Sequence, residues 1–221
     1  MNVLLLSVLV LQDKPDEIFA AVEKKLAAAK TVRLKAKTEG GRKGAADKGE
    51  FSADVKLKTG NLASIELTGV EGGKARTFKF VCDGKKRFTD GGRGMTQRDD
   101  AADGTDARFR AVILRGGAIF MPMMSDSARI AAKLDDILAV SDFKIAADEK
   151  IGDRRVRVVE FTLKSDVGRP MQITHRLFID AETLMPLKRE SEDDNVRMVE
   201  TYEFTLDGEL ADKEFELPAE K

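Results

Sequence analysis

A chain of 221 residues carries 38 Lys and Arg against 39 Asp and Glu, and the formal charge of −1 leaves no global pull towards nucleic acid or an anionic membrane. It has no Trp and one Tyr, so it lacks the aromatic platforms of single-strand binders, and its single cysteine excludes an intrachain disulfide or a zinc site of several thiolates. No nucleic-acid partner, metal or cofactor is therefore expected, and stability has to come from ordinary burial.

The first residues speak to compartment. Val3 to Leu11 is apolar apart from Ser7, a length that suits the core of a signal peptide better than a membrane span of about 20 residues. No Lys or Arg precedes it and no Ala-x-Ala site precedes Gln12-Asp13, so a buried strand is the other reading. The expectation is a signal peptide over 1–12 and a single exported domain over 13–221. No cysteine follows the apolar run, so no lipid anchor is expected there.

Asp13-Lys-Pro-Asp-Glu then opens a helix, with Pro15 early and Asp16 and Glu17 beside the positive end of its dipole. Ile18, Val22, Leu26 and Ala29 recur at helical spacing. From Thr31 the period changes to two: Val32, Leu34 and Ala36 face one way, Arg33, Lys35, Lys37 and Glu39 the other. Gly40 to Gly49 is a turn, Phe51 to Leu57 alternates again, Leu62 to Thr68 returns, and Thr77 to Cys82 leads into Asp83-Gly84, read as a type I′ hairpin turn closing on Lys85 to Thr89. Asp90 to Thr105, rich in Gly and Asp, reads as a mobile connection.

Ala107 to Leu114 is helical, Gly116-Gly117 breaks it, and Ser125-Asp-Ser127 caps a second helix carrying Ile130, Leu134, Ile137 and Leu138. Strands resume at Phe143 to Ala147 and Arg154 to Lys164. A meander follows over Met171–Asp180, Leu184–Glu190 and Met198–Leu206, finished by Phe215-Glu-Leu-Pro218. Helix, five strands, two helices and about five more strands, joined by hairpins, make an α+β fold: a strongly curved antiparallel sheet, an unclosed half-barrel, with helices covering its concave face.

Four sets of residues invite a functional reading. Met121, Met123 and Met124 with Phe120 suit an adaptable apolar cavity, because thioether chains fit irregular ligands with little strain; they equally suit a plug between helices and sheet. Gly116, Gly117 and Pro122 read either as lid hinges or as helix breakers. His175 is the sole histidine and shares the apolar parity of Met171, Ile173, Leu177 and Ile179. No Gly-x-Ser-x-Gly turn supplies it with a nucleophile, so a packed histidine is favoured over a catalytic base, and no enzyme is expected. Cys82, between Phe78, Phe80 and Asp83, reads as an inert buried thiol.

In the order and spacing of Asp16 to Thr38, Phe80-Val-Cys-Asp-Gly-Lys-Lys86, Leu177-Phe-Ile-Asp180 with Thr183 and Pro186, and Tyr202-Glu-Phe204 running to Phe215-Glu-Leu-Pro218, the chain resembles the LolA-like outer-membrane lipoprotein carriers and their wider half-barrel group. It departs from the carriers at Lys58-Thr59-Gly60-Asn61, where they often have Lys-Arg-Pro-Asn. The resemblance implies a periplasmic monomer, acting in outer-membrane biogenesis, whose cavity between sheet and helical lid holds lipid or the acyl chains of a lipoprotein. It also implies walls from Phe109, Ile113, Ile130, Leu134, Ile173, His175 and Leu177, and an envelope membrane protein as a further partner. The alternative is a periplasmic sensor on the same fold that binds a partner protein by its sheet edge or convex face.

Overall fold

In the computed structural model, residues 14–44, 48–92, 96–165 and 170–219 are described. The segment read as a signal peptide lies outside them.

Helix α1 (Pro15–Ala28) starts at its proline and buries Ile18, Phe19, Val22 and Leu26, one stripe at helical spacing. Strands β1 (Thr31–Arg42), β2 (Gly49–Lys58), β3 (Leu62–Glu71), β4 (Lys74–Asp83), β5 (Lys86–Asp90) and β6 (Thr96–Asp100) follow as consecutive hairpins. Then come α2 (Thr105–Arg115), 3₁₀ turns at Ala118–Phe120 and Pro122–Met124, the short α3 (Ser127–Ala131) and a 3₁₀ turn at Leu134–Asp136. The second run of strands is β7 (Ala139–Ile145), β8 (Glu149–Ile151), β9 (Arg154–Ser165), β10 (Met171–Asp180), β11 (Pro186–Glu192) and β12 (Val196–Leu206). A 3₁₀ turn at Asp212–Phe215 is the last regular element among the described residues.

These strands form one 12-stranded antiparallel sheet in the order β6-β5-β4-β3-β2-β1-β12-β11-β10-β9-β7, with β8 also on β9. The two runs meet at β1 and β12, in register from Val32 opposite Leu206 to Arg42 opposite Val196. The strands β6 and β7 lie at opposite edges, so the residues between them, 101–138, must cross the sheet. They do so over its concave face, and we call this segment the strap. Beneath it Val32, Leu34, Val55, Leu57, Ile65, Phe80, Phe161, Leu177 and Ile179 form one core with Phe109, Val112, Ile113 and α1. Phe19, Phe143 and Phe161 pack with ring centroids 5.0–5.8 Å apart.

Several expectations are corrected. Asp90 to Thr105 is not merely a connection: Thr96–Asp100 pairs with β5, and Lys86 to Asp100 and Arg87 to Asp99 ion pairs fasten it. The helix expected through Leu138 ends at Ala131, because the Arg108 guanidinium takes the Ile130 and Ala132 carbonyls and so competes with a continuing helical ladder. At Asp83-Gly84 only glycine has a positive φ, 92°, and the Asp83 carboxylate closes the turn instead by accepting the Lys85 and Lys86 amides. Strand β11 begins at Pro186, two residues after the expected Leu184, which sits at φ 53° in the turn. The edge strand β7 starts earlier than Phe143 and bulges at Asp142. A second small cluster of Val156, Val158 and Phe178 lies outside the main core, with Ala146, Ile151 and Leu187 against it.

Curvature needs backbone close approach. A Cβ at Gly69, in β3, would sit on the Glu50 carbonyl oxygen and the Phe51 ring that covers the glycine. Gly69→Ala is expected to cost about 1–3 kcal/mol, the usual range for overpacking, measured by equilibrium denaturation in urea.

Candidate functional site

The strap is held by guanidinium groups as much as by apolar contact. A helix leaves its last carbonyls without partners, and here arginines supply them. Arg189 of β11, 1% exposed, donates to the carbonyls of Ile113 (3.0 Å), Leu114 and Arg115 (2.9 Å) at the end of α2. Arg110 does the same for Leu26, Ala29 and Lys30 at the end of α1, and its own charge is balanced by Asp106 one turn earlier. Arg87 reaches the Ser125 carbonyl and Arg129 that of Met123. The start of α2 is tied to the β2–β3 turn, where the Asn61 amide donates to Asp106 and the Asn61 side chain accepts from Gly104.

From Arg189 a buried polar chain crosses the sheet. Arg189 Nε donates to the Tyr202 hydroxyl at 2.8 Å, the hydroxyl donates to Glu200 Oε2 at 2.6 Å, and Oε1 accepts from the Thr38 hydroxyl at 3.3 Å and the Ala118 amide at 3.0 Å. Burial raises the Glu200 pKa against the opposing effects of Arg189 and these donors, and burial likewise pushes the Tyr202 hydroxyl well up. Gly117 (φ 89°) lies so close to the Glu200 carboxylate that a Cβ would overlap it, and a Cβ at Gly116 would meet the Phe120 ring. Both glycines thus have a packing reason, beyond breaking the helix.

The expected cavity residues divide in two. Phe109, Ile113, Met121, Met124 and Leu177 are 0–1% exposed in the core, and Ile130 is equally enclosed at 2%. Leu134 is half-buried against them. Phe120, Met123 and Ile173 line an apolar groove of ≈ 180 Å³ with Ile119, Met171, Val196 and Met198, between the strap and the ends of β10, β11 and β12. Ser191, Glu192 and Asp193 complete its floor and rim. Sequence reading missed Ile119, Val196 and Met198. Met198 lies on the concave parity of its strand, which was the signal available for it. A wide polar trough shares Met171, Ser191, Glu192, Asp193 and Val196 with the groove at the strand ends, but its Gln172, Thr174, Arg176, Glu190 and Arg197 have the opposite, convex parity of their strands.

His175 lies on the concave face but beneath this groove, not in its wall. Its Nδ1 is 2.8 Å from the Ser191 hydroxyl, its ring centroid is 5.0 Å from that of Phe161, and its Nε2 is buried without a hydrogen-bond partner. Desolvation, then the Arg189 charge, hold its pKa well below the ordinary 6.5, so the ring is neutral. A hydroxyl beside an imidazole has the distance of a nucleophile and its base. The pair nevertheless lacks an orienting carboxylate on the other nitrogen, and the nearby charge is a cation that opposes protonation. Among the described residues no group of three or more His, Cys, Asp or Glu is placed to hold a metal.

No family model matches the sequence, and no curated protein matches it. Among solved structures the chain is similar to LprF from Mycobacterium bovis, at 13% identity over 93% of this chain and 97% of that one, with a TM-score of 0.50. It also aligns with the LolA superfamily protein NE2245 from Nitrosomonas europaea (12% identity, 92% and 98% covered, TM-score 0.41). A third alignment, to a chain of the Pseudomonas aeruginosa MucA/MucB complex, has 12% identity and a TM-score of 0.45 and covers 92% of this chain and 60% of that one. The remote resemblance read from the sequence therefore holds as one of fold, and the LprF alignment carries it.

Arg189→Met is expected to cost about 3–5 kcal/mol in urea denaturation, because it leaves three buried helix-end carbonyls without their donor and removes the positive charge that stabilises the buried Glu200 carboxylate. His175 gives a pH signature. Its folded pKa lies below its unfolded one, so the unfolded chain binds the proton first and stability is lost as pH falls below about 6.5. Glu200, with a raised folded pKa, works in the opposite sense, losing stability as pH rises above about 4.5. The urea midpoint, followed by circular dichroism, should therefore drop less between pH 7.5 and 5.5 in His175→Gln than in the parent; an equal drop would contradict a buried neutral imidazole.

Proposed function

We propose that residues 13–221 act as an exported, non-enzymatic carrier that binds the acyl chain of a lipid or lipoprotein, with the end of that chain seated in the groove between the strap and β10–β12. The supporting observation is the groove itself. Its walls are Ile119, Phe120, Met123, Met171, Ile173, Val196 and Met198, and a chain end gains by leaving water only against walls of this kind. At ≈ 180 Å³ it is smaller than the roughly 300–1,000 Å³ of sites that enclose a whole small molecule. It suits the end of a flexible chain, and the unbranched thioethers on three separate elements can follow it. At the strand ends Arg42, paired opposite the groove residue Val196, is fit for the polar end of the same amphiphile. An envelope membrane protein would donate or receive the cargo.

The alternative, a sensor that pairs with a partner protein along a sheet edge, has less support. The edge strand β6 is short and carries Arg98, Asp99 and Asp100, while β7 is interrupted by its bulge; both are devices that discourage pairing. The convex face is likewise engaged in its own ion pairs, as where Arg176 meets Glu149, Glu160 and Glu190 at 2.9–3.2 Å.

Titration of residues 13–221 with a fluorescent fatty acid and with a lipopeptide should show saturable binding. Met123→Glu, which places a carboxylate in the groove wall, should weaken it at least about tenfold with an unchanged circular dichroism spectrum. An intact fold with no saturable binding would sink the carrier reading. A stoichiometric protein from envelope extract, bound without lipid, would favour the alternative.

A further inference from the structure

Of the methionines in the described residues, Met121, Met124 and Met185 are buried at 0–8% exposure. Met123, Met171 and Met198 are partly exposed, and all three face the same groove from three separate elements: a 3₁₀ turn of the strap, β10 and β12. The chain therefore gathers its accessible described thioethers at the place where an apolar ligand would sit. A thioether is oxidised where a small oxidant reaches its sulfur, and an open groove of ≈ 180 Å³ readily admits one.

We infer that Met123, Met171 and Met198 form a sulfoxidation site through which peroxide turns off acyl-chain binding, an inference that rests on the carrier reading. In the step, a methionine sulfur attacks one oxygen of hydrogen peroxide. The O–O bond breaks, an S–O bond forms, and after proton transfer the other oxygen leaves as water; the sulfur is oxidised by two electrons and the peroxide reduced by two. The product is a strong hydrogen-bond acceptor with no donor.

The groove's side chains offer that acceptor few donors. Glu192 and Asp193 at the rim bring carboxylates rather than donors, and the one hydroxyl, that of Ser191, is paired with His175 Nδ1 at 2.8 Å. Water meets the new oxygen while the groove is empty, but an entering acyl chain would displace that water and leave the sulfoxide buried and unpaired. Oxidation therefore opposes the ligand far more than it opposes the fold, because the sulfurs concerned lie on the groove and the core methionines are shielded.

The test treats the purified protein with hydrogen peroxide and follows three readouts: peptide mass spectrometry, circular dichroism and titration with a fluorescent fatty acid. Sulfoxide should accumulate at Met123, Met171 and Met198 before Met121, Met124 and Met185. Acyl affinity should fall at least about tenfold in step with it, with an unchanged spectrum, and return after treatment with methionine sulfoxide reductases acting on both epimers. Met198→Gln, a polar side chain of similar length, should bind weakly from the outset and gain nothing from the reductases. Earlier oxidation of the core methionines, loss of fold on oxidation, or unchanged affinity once the groove methionines are oxidised would overturn the inference while leaving the carrier reading intact. A protein that binds no fatty acid before oxidation would overturn that reading and this inference with it.

Discussion

The fold depends on how the carbonyl ends of its helices are closed. Two long helices and one short one end inside or beside an apolar half-barrel, where the last carbonyls of each would be costly without donors. Arg110 closes α1, Arg189 closes α2 and Arg108 closes α3, each from a different place in the chain. The fork of a guanidinium suits this role, since one side chain can serve several carbonyls at once, and it remains charged where an ammonium would readily give up its proton. Burial lowers the pKa of Arg110 and Arg108, yet an arginine starts so high that it keeps its proton. The strap thereby gains a fixed position over a sheet whose two edges it joins.

A consequence is the division between core and groove. Where arginines and the Arg189–Tyr202–Glu200–Thr38 chain hold the strap, the concavity is filled by Phe109, Ile113, Met121 and Leu177 and leaves no exposed wall. Past Gly117 and Ala118, whose amide is bound by Glu200, the strap turns away as 3₁₀ segments and leaves a shallow opening over β10–β12. His175 marks the boundary: it is neutral, bonded to Ser191 on the groove floor, and packed on Phe161 in the core. The residues able to meet a ligand are thus few, and methionines are prominent among them.

Reading by periodicity succeeded where one face of an element is buried and failed where a distant side chain intervenes. The alternation in β1, β2 and β10 and the stripe of α1 needed only local pattern, and each appears with the expected face inward. The stretch from Ile130 to Leu138 had a helical pattern too, but Arg108, more than twenty residues away, takes the carbonyls on which continuation would depend. The strand β6 had no apolar alternation to betray it, since it is held by edge pairing and by ion pairs to Lys86 and Arg87. Of the groove, Phe120, Met123 and Ile173 were readable as apolar positions near the lid, whereas Ile119, Val196 and Met198 required knowing which strand ends the strap would meet.

The sequence by itself determined the class of the fold: hairpin-joined strands of period two, interrupted once by helices, point to an antiparallel sheet with those helices covering one of its faces, and a strongly curved sheet with the helices in its concavity fits. It also determined that no disulfide or cluster of thiolates would assist, since Cys82 stands alone. Only the tertiary structure decided which apolar residues are core and which are surface of a site. That choice turns on non-local bonds, from Arg189 to the end of α2 and from Glu200 to Ala118, and partners so far apart in the chain leave no periodic trace in it. The same holds for His175, whose neutrality comes from its depth beside Phe161 and Arg189 rather than from any neighbour in sequence.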